Sequence, residues 1–295
     1  MQPLRLSAIA LLWLLSSCAW ADIVLVIKPR ETQLTLAFVD ALQQRRPADT
    51  LLVRLLGEQP EPGAATLVIT MGLEALEWRL QQASTVPTIA TFITLDQLTP
   101  QYHAGHPPFV QVLLASAKPE RQLILAQLLI PRLHSVGLLH SDQQQWQRSL
   151  WQTAAQRRKL KLQARSVADQ QDLLRHLTSL LDDSEVLIGL DDPQVYNAAN
   201  LKPLLLSAYN RNRVLIGPSA PFIAAGSLST TYSSAQDMAD SLEEILQDDW
   251  RPGAVRYPTH FSVLSNPQVA RSLGLPPPRD AELRQRIHAE EQASP

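Results

Sequence analysis

Cysteine is nearly missing from this 295-residue chain: Cys18 is the only one. It sits in the N-terminal leader, so the folded part has no disulfide and no thiol nucleophile. An excess of charge of either sign is also missing. Lys and Arg number 26 against 28 Asp and Glu, a formal net charge of −2, and no basic block suits a nucleic-acid backbone. The densest basic run, "RRKLK" at 157–161, closes a helical period, where the helix dipole favours cations. Beyond the leader no segment reaches the roughly 18 apolar residues of a membrane span.

Catalytic signatures are absent as well. The chain has neither G-x-x-x-x-G-K-[ST] nor G-x-G-x-x-G, so it carries no phosphate-cradling or dinucleotide fingerprint. A serine hydrolase needs a G-x-S-x-G elbow. The nearest stretch, Gly217-Pro218-Ser219-Ala220-Pro221, lacks the second glycine and flanks its serine with prolines. His103 and His106 are the only close histidine pair, with no third ligand beside them. They read as loop residues, and His134 and His140, flanking an apolar run, read as structural. The expectation is a protein without metal, cofactor or enzymatic activity.

The N-terminus is the clearest feature that is present. Arg5 precedes the short apolar core "SAIALLWLL", and small residues follow in "SSCAWAD", the layout of a secretory signal over residues 1–21. Ala19-Trp20-Ala21 has the A-x-A form of a signal peptidase site before Asp22. Leu15-Ser16-Ser17-Cys18 also resembles a bacterial lipobox, which would lipidate Cys18. A lipoprotein normally keeps a flexible tether, yet the strand-like "DIVLVI" begins four residues after Cys18. That spacing favours soluble release into the periplasm over lipid anchoring.

The remainder is 45% apolar and 18% charged over the whole chain, a globular composition, and its length calls for two lobes. Strand-like runs at 23–27, 50–56, 66–70, 87–94 and 109–115 alternate with helical periods. A second series follows: strands at 135–141, 160–167, 186–190 and 213–219, with helices at 143–158, 169–183 and 197–211. Apolar strands separated by amphipathic helices specify a parallel sheet covered on both faces. The expected fold is therefore α/β, with two doubly wound lobes.

A connecting helix ending near Pro131 marks the boundary between residues 22–133 and 134–234. Ser234 and Asp237 start a late helix with Met238, Leu242, Ile245 and Leu246 at helical spacing. This helix, 235–249, is expected to return to the first lobe. Residues from about 255 to 277 are expected in the second lobe, and 278–295 as a tail whose last helix is exposed.

In such lobes ligands lie beyond the carboxyl ends of the strands. Asp191 and Asp192 follow "VLIGL" at such an end. They suit either a ligand or the N-cap of a turn that has Pro193 just inside it. The stretch "GPSAPFIAAGSLSTTYSS" (217–234) occupies the same kind of position and reads as a wall of closely packed small residues.

The C-terminal part carries a family likeness. "VLIGPSAPFIAAGSLSTTYSS", an amphipathic helix, and then Tyr257-Pro258, Phe261, Val263, Asn266, Ala270 and Leu273-Gly274-Leu275 resemble the ABC-transporter substrate-binding proteins of the periplasmic-binding-protein type I fold. The likeness extends more loosely over most of the mature chain. It implies a monomeric, hinged protein that closes on a small polar or zwitterionic ligand and delivers it to a membrane permease. The same fold also serves sensors that report to a membrane partner.

By position in that family, the ligand-facing residues would be Gly72, Thr94, Ser141, Asp192 and Ser219. Asp192 would suit an ammonium group, and Tyr196 and Phe222 would pack on an apolar part of the ligand. Two departures stand out: Leu73 replaces a small hydroxyl residue, which weakens the assumption of an amino-acid-type ligand. Met238 replaces a glycine in the late helix, removing a close-packing position with consequences for the hinge or lobe contact.

The processing expectation is checked by the intact mass of the exported chain. Release is expected to give an unmodified start at Asp22, whereas a lipid-modified start at Cys18 would reverse it.

Overall fold

The computed structural model describes residues 22–58, 60–98 and 105–293. The leader with Cys18, and His103, lie outside the described residues. The first lobe opens with β1 (Ile23–Lys28), whose Val24, Leu25, Val26 and Ile27 are buried from both sides. It is joined by β2 (Thr50–Leu55), β3 (Leu67–Met71), β4 (Thr88–Ile93) and β5 (Val110–Leu114). Their order is β2-β1-β3-β4-β5, parallel throughout.

Side chains alternate across the strands, and each face has its own helix. Val24, Val26 and Ile69 pack with Phe38 and Leu42 of α1 (Gln33–Arg45). Leu25, Ile27 and Val68 pack with Ala75 of α2 (Leu73–Leu80) on the opposite face. The edge strand β2 alternates exposed and half-buried residues, because only one of its neighbours is a strand.

The second lobe repeats this plan. It begins with α3 (Pro119–Leu129) and continues through β6 (Ser135–Ser141), α4 (Gln147–Arg157), β7 (Lys161–Val167), α5 (Gln170–Asp183) and β8 (Val186–Ile188). Then come α6 (Ala198–Asn210), β9 (Val214–Ile216), α7 (Pro221–Ala225) and β10 (Ser229–Tyr232). The order is β7-β6-β8-β9-β10, again parallel. Among the described residues no helix is long and apolar enough to cross a membrane.

The chain then returns. α8 (Ala235–Asp248) opens with a reciprocal cap between Ser234 and Asp237 and lays Met238, Leu242 and Ile245 against Phe38 and Leu42 of α1. Arg46 and Glu243 pair beside this contact at 3.1 Å. Met238 is fully buried there, so its side chain fills core volume between α8 and α1.

Three expected boundaries are corrected. α3 packs Leu123, Ile124, Leu125 and Ala126 into the second lobe's core, so that lobe begins near residue 119 rather than at 134. β11 (Val255–Arg256) adds to β5 of the first sheet, so the second-lobe segment starts after residue 256. It continues as β12 (Ser262–Ser265), antiparallel to β10, and α9 (Pro267–Ser272). Residues 280–293 form no free tail. They build α10 (Asp280–Ala293), whose Leu283 and Ile287 join the second lobe's core, Ile287 with 0% exposure. Its low-contrast apolar pattern concealed a narrow docking stripe.

The N-terminal turn of α3 binds the crossings between the lobes. Gln122, with 0% exposure, donates from Nε2 to the Gly217 carbonyl at 2.9 Å and to Thr230 Oγ1 at 3.2 Å. Its Oε1 accepts from the Thr231 N–H at 3.0 Å. The neighbouring Arg121 donates to the Pro258 carbonyl at 2.7 Å and to Glu291 of α10 at 2.7 Å. Its guanidinium also lies 4.2 Å from the Phe261 ring centroid. Asp237 Oδ2 ties the remaining pair of crossings, accepting from the Ser234 N–H at 2.9 Å and from the Ser262 hydroxyl at 2.8 Å.

Removing the Gln122 amide takes the side-chain acceptor from the buried Thr231 N–H, while the Gly217 carbonyl keeps the Thr230 hydroxyl at 2.8 Å. Gln122→Ala is expected to lower the unfolding free energy by about 2–4 kcal/mol, measured by chemical denaturation.

Candidate functional site

The carboxyl ends of both sheets meet at one boundary between the lobes. On the first-lobe side, Gly72 follows β3 with φ of 80° and nothing within 4 Å of the position a Cβ would take. That backbone is left-handed and favours glycine, and it starts α2 beside open space. Thr94 follows β4 and heads the single turn Leu95–Gln97, its N–H donating to Gln97 Oε1 at 3.0 Å. The register of β4 shifts between Thr91 and Ile93, where Phe92 takes a φ of 57°. Its ring meets Phe38 edge-on with centroids 5.0 Å apart. This bulge re-aims the end of β4.

On the second-lobe side, the Ser141 N–H at the end of β6 donates to Asp192 Oδ2 at 2.6 Å. Asp192 is 1% exposed, and its Oδ1 accepts from the Gln194 N–H at 3.2 Å. Its carbonyl receives the N–H groups of Val195 and Tyr196. Asp192 thus clasps the end of β6 to the turn after β8, the capping role rather than the ligand-facing one. A close contact holds this end together: a Cβ at Gly189 would lie 2.5 Å from Pro218 Cδ.

Asp191 is the acid that meets the other lobe. From the first lobe, Ser116, just after β5, and Asp96, just after β4, both act on its carboxyl. Ser116 Oγ in turn accepts from the Leu95 N–H at 2.7 Å. Asp191 keeps partial solvent contact while protein surrounds it. Burial first, and then Asp96, push its carboxyl up to about 6 against the relief from Ser116. Burial also raises the Asp96 carboxyl, which the Thr94 hydroxyl and the amide groups of Asp96 and Gln97 partly offset. Gln144 bridges the lobes directly, its amide 3.4 Å from the Asp96 carbonyl.

Two aromatic side chains border the same boundary. Trp146, from the second lobe, and Tyr257, from the third crossing, both pack on the first-lobe cluster that contains Ile93, Leu95 and Leu98. Tyr257 Oη and Ser141 Oγ are buried polar atoms without a hydrogen-bond partner among the described residues. Buried hydroxyls usually have one.

The expected site residues therefore separate. Gly72, Thr94 and Ser141 lie at the strand ends around the boundary, and Ser219 is half-buried after β9. Tyr196 does not face a ligand: it is buried in the second lobe's core, with its hydroxyl donating to the Ile188 carbonyl at 3.0 Å. Phe222 packs against that core from α7, close to Gly217. Asp96, Ser116, Trp146 and Tyr257 escaped sequence reasoning as site residues. The one available signal was that Asp96 follows a strand end as Asp191 does. Among the described residues, no group of three or more His, Cys, Asp or Glu is arranged to hold a metal ion. His106 is buried, and that burial lowers its ring below the usual histidine range.

No family model and no curated protein matches the chain. Solved structures do. One is the open, ligand-free form of a substrate-binding protein with adhesive properties from Clostridium difficile. It is 13% identical, with a TM-score of 0.67 over 88% of this chain and 96% of that one. A second is an ABC domain in complex with L-Trp from Streptococcus pneumonia, 14% identical with a TM-score of 0.54 over 88% and 96%. A conserved domain protein from Vibrio cholerae O1 biovar El Tor gives 14% identity and 0.55 over 90% and 98%. With two doubly wound lobes joined by three crossings, the chain has the periplasmic-binding-protein type I fold.

The Asp191 carboxyl carries a pH signature. A group at about 6 in the fold and about 3.9 in the unfolded chain binds more protons when folded. Stability is therefore lost as pH rises between those values and stays lower above them. Asp191→Asn is expected to raise stability by about 1–3 kcal/mol at pH 7.5. At pH 4 the variant should match the wild type in thermal unfolding.

Proposed function

We propose that the chain is an exported solute-binding protein. It holds a small polar or zwitterionic organic molecule between its lobes and delivers it to an ABC-type permease. The observation that carries this reading is the meeting of both sheets' carboxyl ends at one boundary. Thr94 and Asp96 follow β4 on one side, Ser141 and Asp191 stand at the ends of β6 and β8 on the other, and Gln144 of the second lobe reaches the Asp96 carbonyl at 3.4 Å. Open α/β sheets take ligands at these ends, and two such ends facing each other make a clamp. The similar proteins include one described as substrate-binding and one in complex with L-Trp.

The roles follow from chemistry. The free N–H groups at the start of α2, after Gly72, suit an anionic group. Thr94 and Ser219 offer hydroxyls, and the acids suit a positive group. Closure on the ligand shifts the population of lobe arrangements by the difference in affinity between open and closed forms. The short apolar leader supports export, and delivery to the permease accounts for the absence of catalytic motifs.

A metabolite panel read by thermal shift tests the reading. A ligand at 100 times its Kd should add about 2.7 kcal/mol of stability. Thr94→Ala together with Ser219→Ala is expected to weaken that ligand at least tenfold. A panel without any stabilising compound, or an unchanged affinity in the double variant, would refute it.

A further inference from the structure

We propose that the first lobe holds a built seat for the N-terminus of the processed chain. Cleavage between Ala21 and Asp22 turns the Asp22 N–H into an ammonium group that pairs with the Asp49 carboxylate. The inference needs only the export in the solute-binding reading and nothing at the boundary between the lobes.

The seat lies at the other end of the first sheet from that boundary, where β1, β2 and β3 begin. The Asp22 N–H donates to Asp49 Oδ1 at 3.0 Å. The Asp49 side chain is only 9% exposed and stands in the turn that leads into β2. The Asp22 carbonyl accepts from the Thr50 N–H at 2.9 Å, and its Oδ1 accepts from the Thr66 hydroxyl at 3.0 Å. Asp22 is therefore held by the starts of both neighbouring strands, with its nitrogen aimed at a carboxylate.

Charge at this place is unbalanced. Arg46, which caps the end of α1, gives its Nη2 to Asp22 at 2.8 Å, its Nη1 to Glu243 of α8 at 3.1 Å and its Nε to Asp49. One guanidinium thus serves three carboxylates. The adjacent Arg45 is taken by Asp240 of α8 at 2.5 Å. Among the described residues no further Lys or Arg pairs with Asp22, Asp49 or Glu243. An ammonium on Asp22 is the second cation that the three acids lack, and Asp49 Oδ1 already points to it.

With the leader attached, the Asp22 nitrogen is a neutral amide with one hydrogen. A signal peptidase adds water across the bond. The oxygen goes to Ala21, which becomes a carboxylate, and both water protons end on the Asp22 nitrogen as an ammonium at neutral pH. The hydrogen bond to Asp49 becomes an ion pair in a largely buried place, where salt screens it less than on open surface. Through Arg46 and Glu243 the pair extends to α8, so leader removal tightens the first lobe. Lipidation at Cys18 would leave Asp22 an amide and the seat without its cation.

Two chains compared by thermal unfolding test this. One runs from Asp22 to Pro295, released from a fusion with a free α-amino group. The other runs from Ala19 to Pro295, keeping the Asp22 N–H but carrying its ammonium three residues away. At pH 7 the first is expected to unfold about 2 °C or more above the second. Asp49→Asn is expected to abolish that difference, with circular dichroism confirming that the variants fold. A pH series gives a readout that does not depend on the variant. An α-amino group ordinarily titrates at about 7.7–8.0, and an adjacent carboxylate moves it upward. The contribution is therefore full below that range and lost as pH rises through the higher folded value, so the two wild-type chains should converge by about pH 11.

Equal stability at pH 7, or a difference that persists in Asp49→Asn or at high pH, would overturn the seat. Greater stability of the chain from Ala19 would also overturn it, and would assign residues 19–21 to the groove of about 360 Å³ that Asp22 borders with Leu67, Pro87 and Trp250. The intact mass of the exported chain separates the readings. A start at Asp22 supports the seat, and a lipid-modified start at Cys18 overturns it while solute binding stands. An uncut leader removes the seat together with export.

Discussion

Two adjacent side chains on the first turn of α3 hold the molecule together. Gln122 reaches the second crossing through Thr231 and the end of β9 through the Gly217 carbonyl. Arg121 reaches the third crossing at Pro258 and the last helix at Glu291. α3 itself continues the first crossing. All three connections between the lobes therefore converge on about one helical turn. A buried amide and a buried guanidinium are expensive to leave unpaired, so the crossings are fixed relative to one another while the lobes beyond them stay separate bodies. The boundary residues can oppose one another only because this clamp sets where the two sheets point.

Within that frame the acids divide their work. Asp192 and Asp191 are neighbours in sequence and opposite in role. One carboxylate is consumed by backbone N–H groups and shapes the end of β8. The other stands in the turn after β8, where burial raises it and Ser116 and Asp96 of the far lobe act on it. Burial without a cationic partner makes Asp191 costly as a charge, and the cost depends on how closely the lobes approach.

The late segments illustrate where reading a sequence reaches its limit. The Ser234–Asp237 cap and the spacing of Met238, Leu242 and Ile245 announced α8, and the helix is found there with those residues buried. α10 was announced as a helix but misjudged as exposed, because Leu283 and Ile287 are a stripe only one residue wide. The two-residue β11 had no pattern of its own. It exists because β5 offers an unpaired edge. Tyr196 followed a strand end in the expected place, yet its ring turned inward, a choice made by the packing of the second core rather than by its neighbours in sequence.

The chain's own order of residues determined its two βα series, the absence of catalytic and cofactor motifs, and the family likeness of its C-terminal part. These are local facts, since periodicity, caps and motifs are written within one helix or strand. Tertiary structure alone decided that the Asp192 carboxylate is spent on the Ser141 and Gln194 N–H groups while the Asp191 carboxyl is left to burial. It also set Ser116, Trp146 and Tyr257 along the boundary between the lobes. Those residues are scattered from 116 to 257, and a sequence carries no term for the distance between the ends of two sheets. Only packing brings them together, and only there does burial act on their charges.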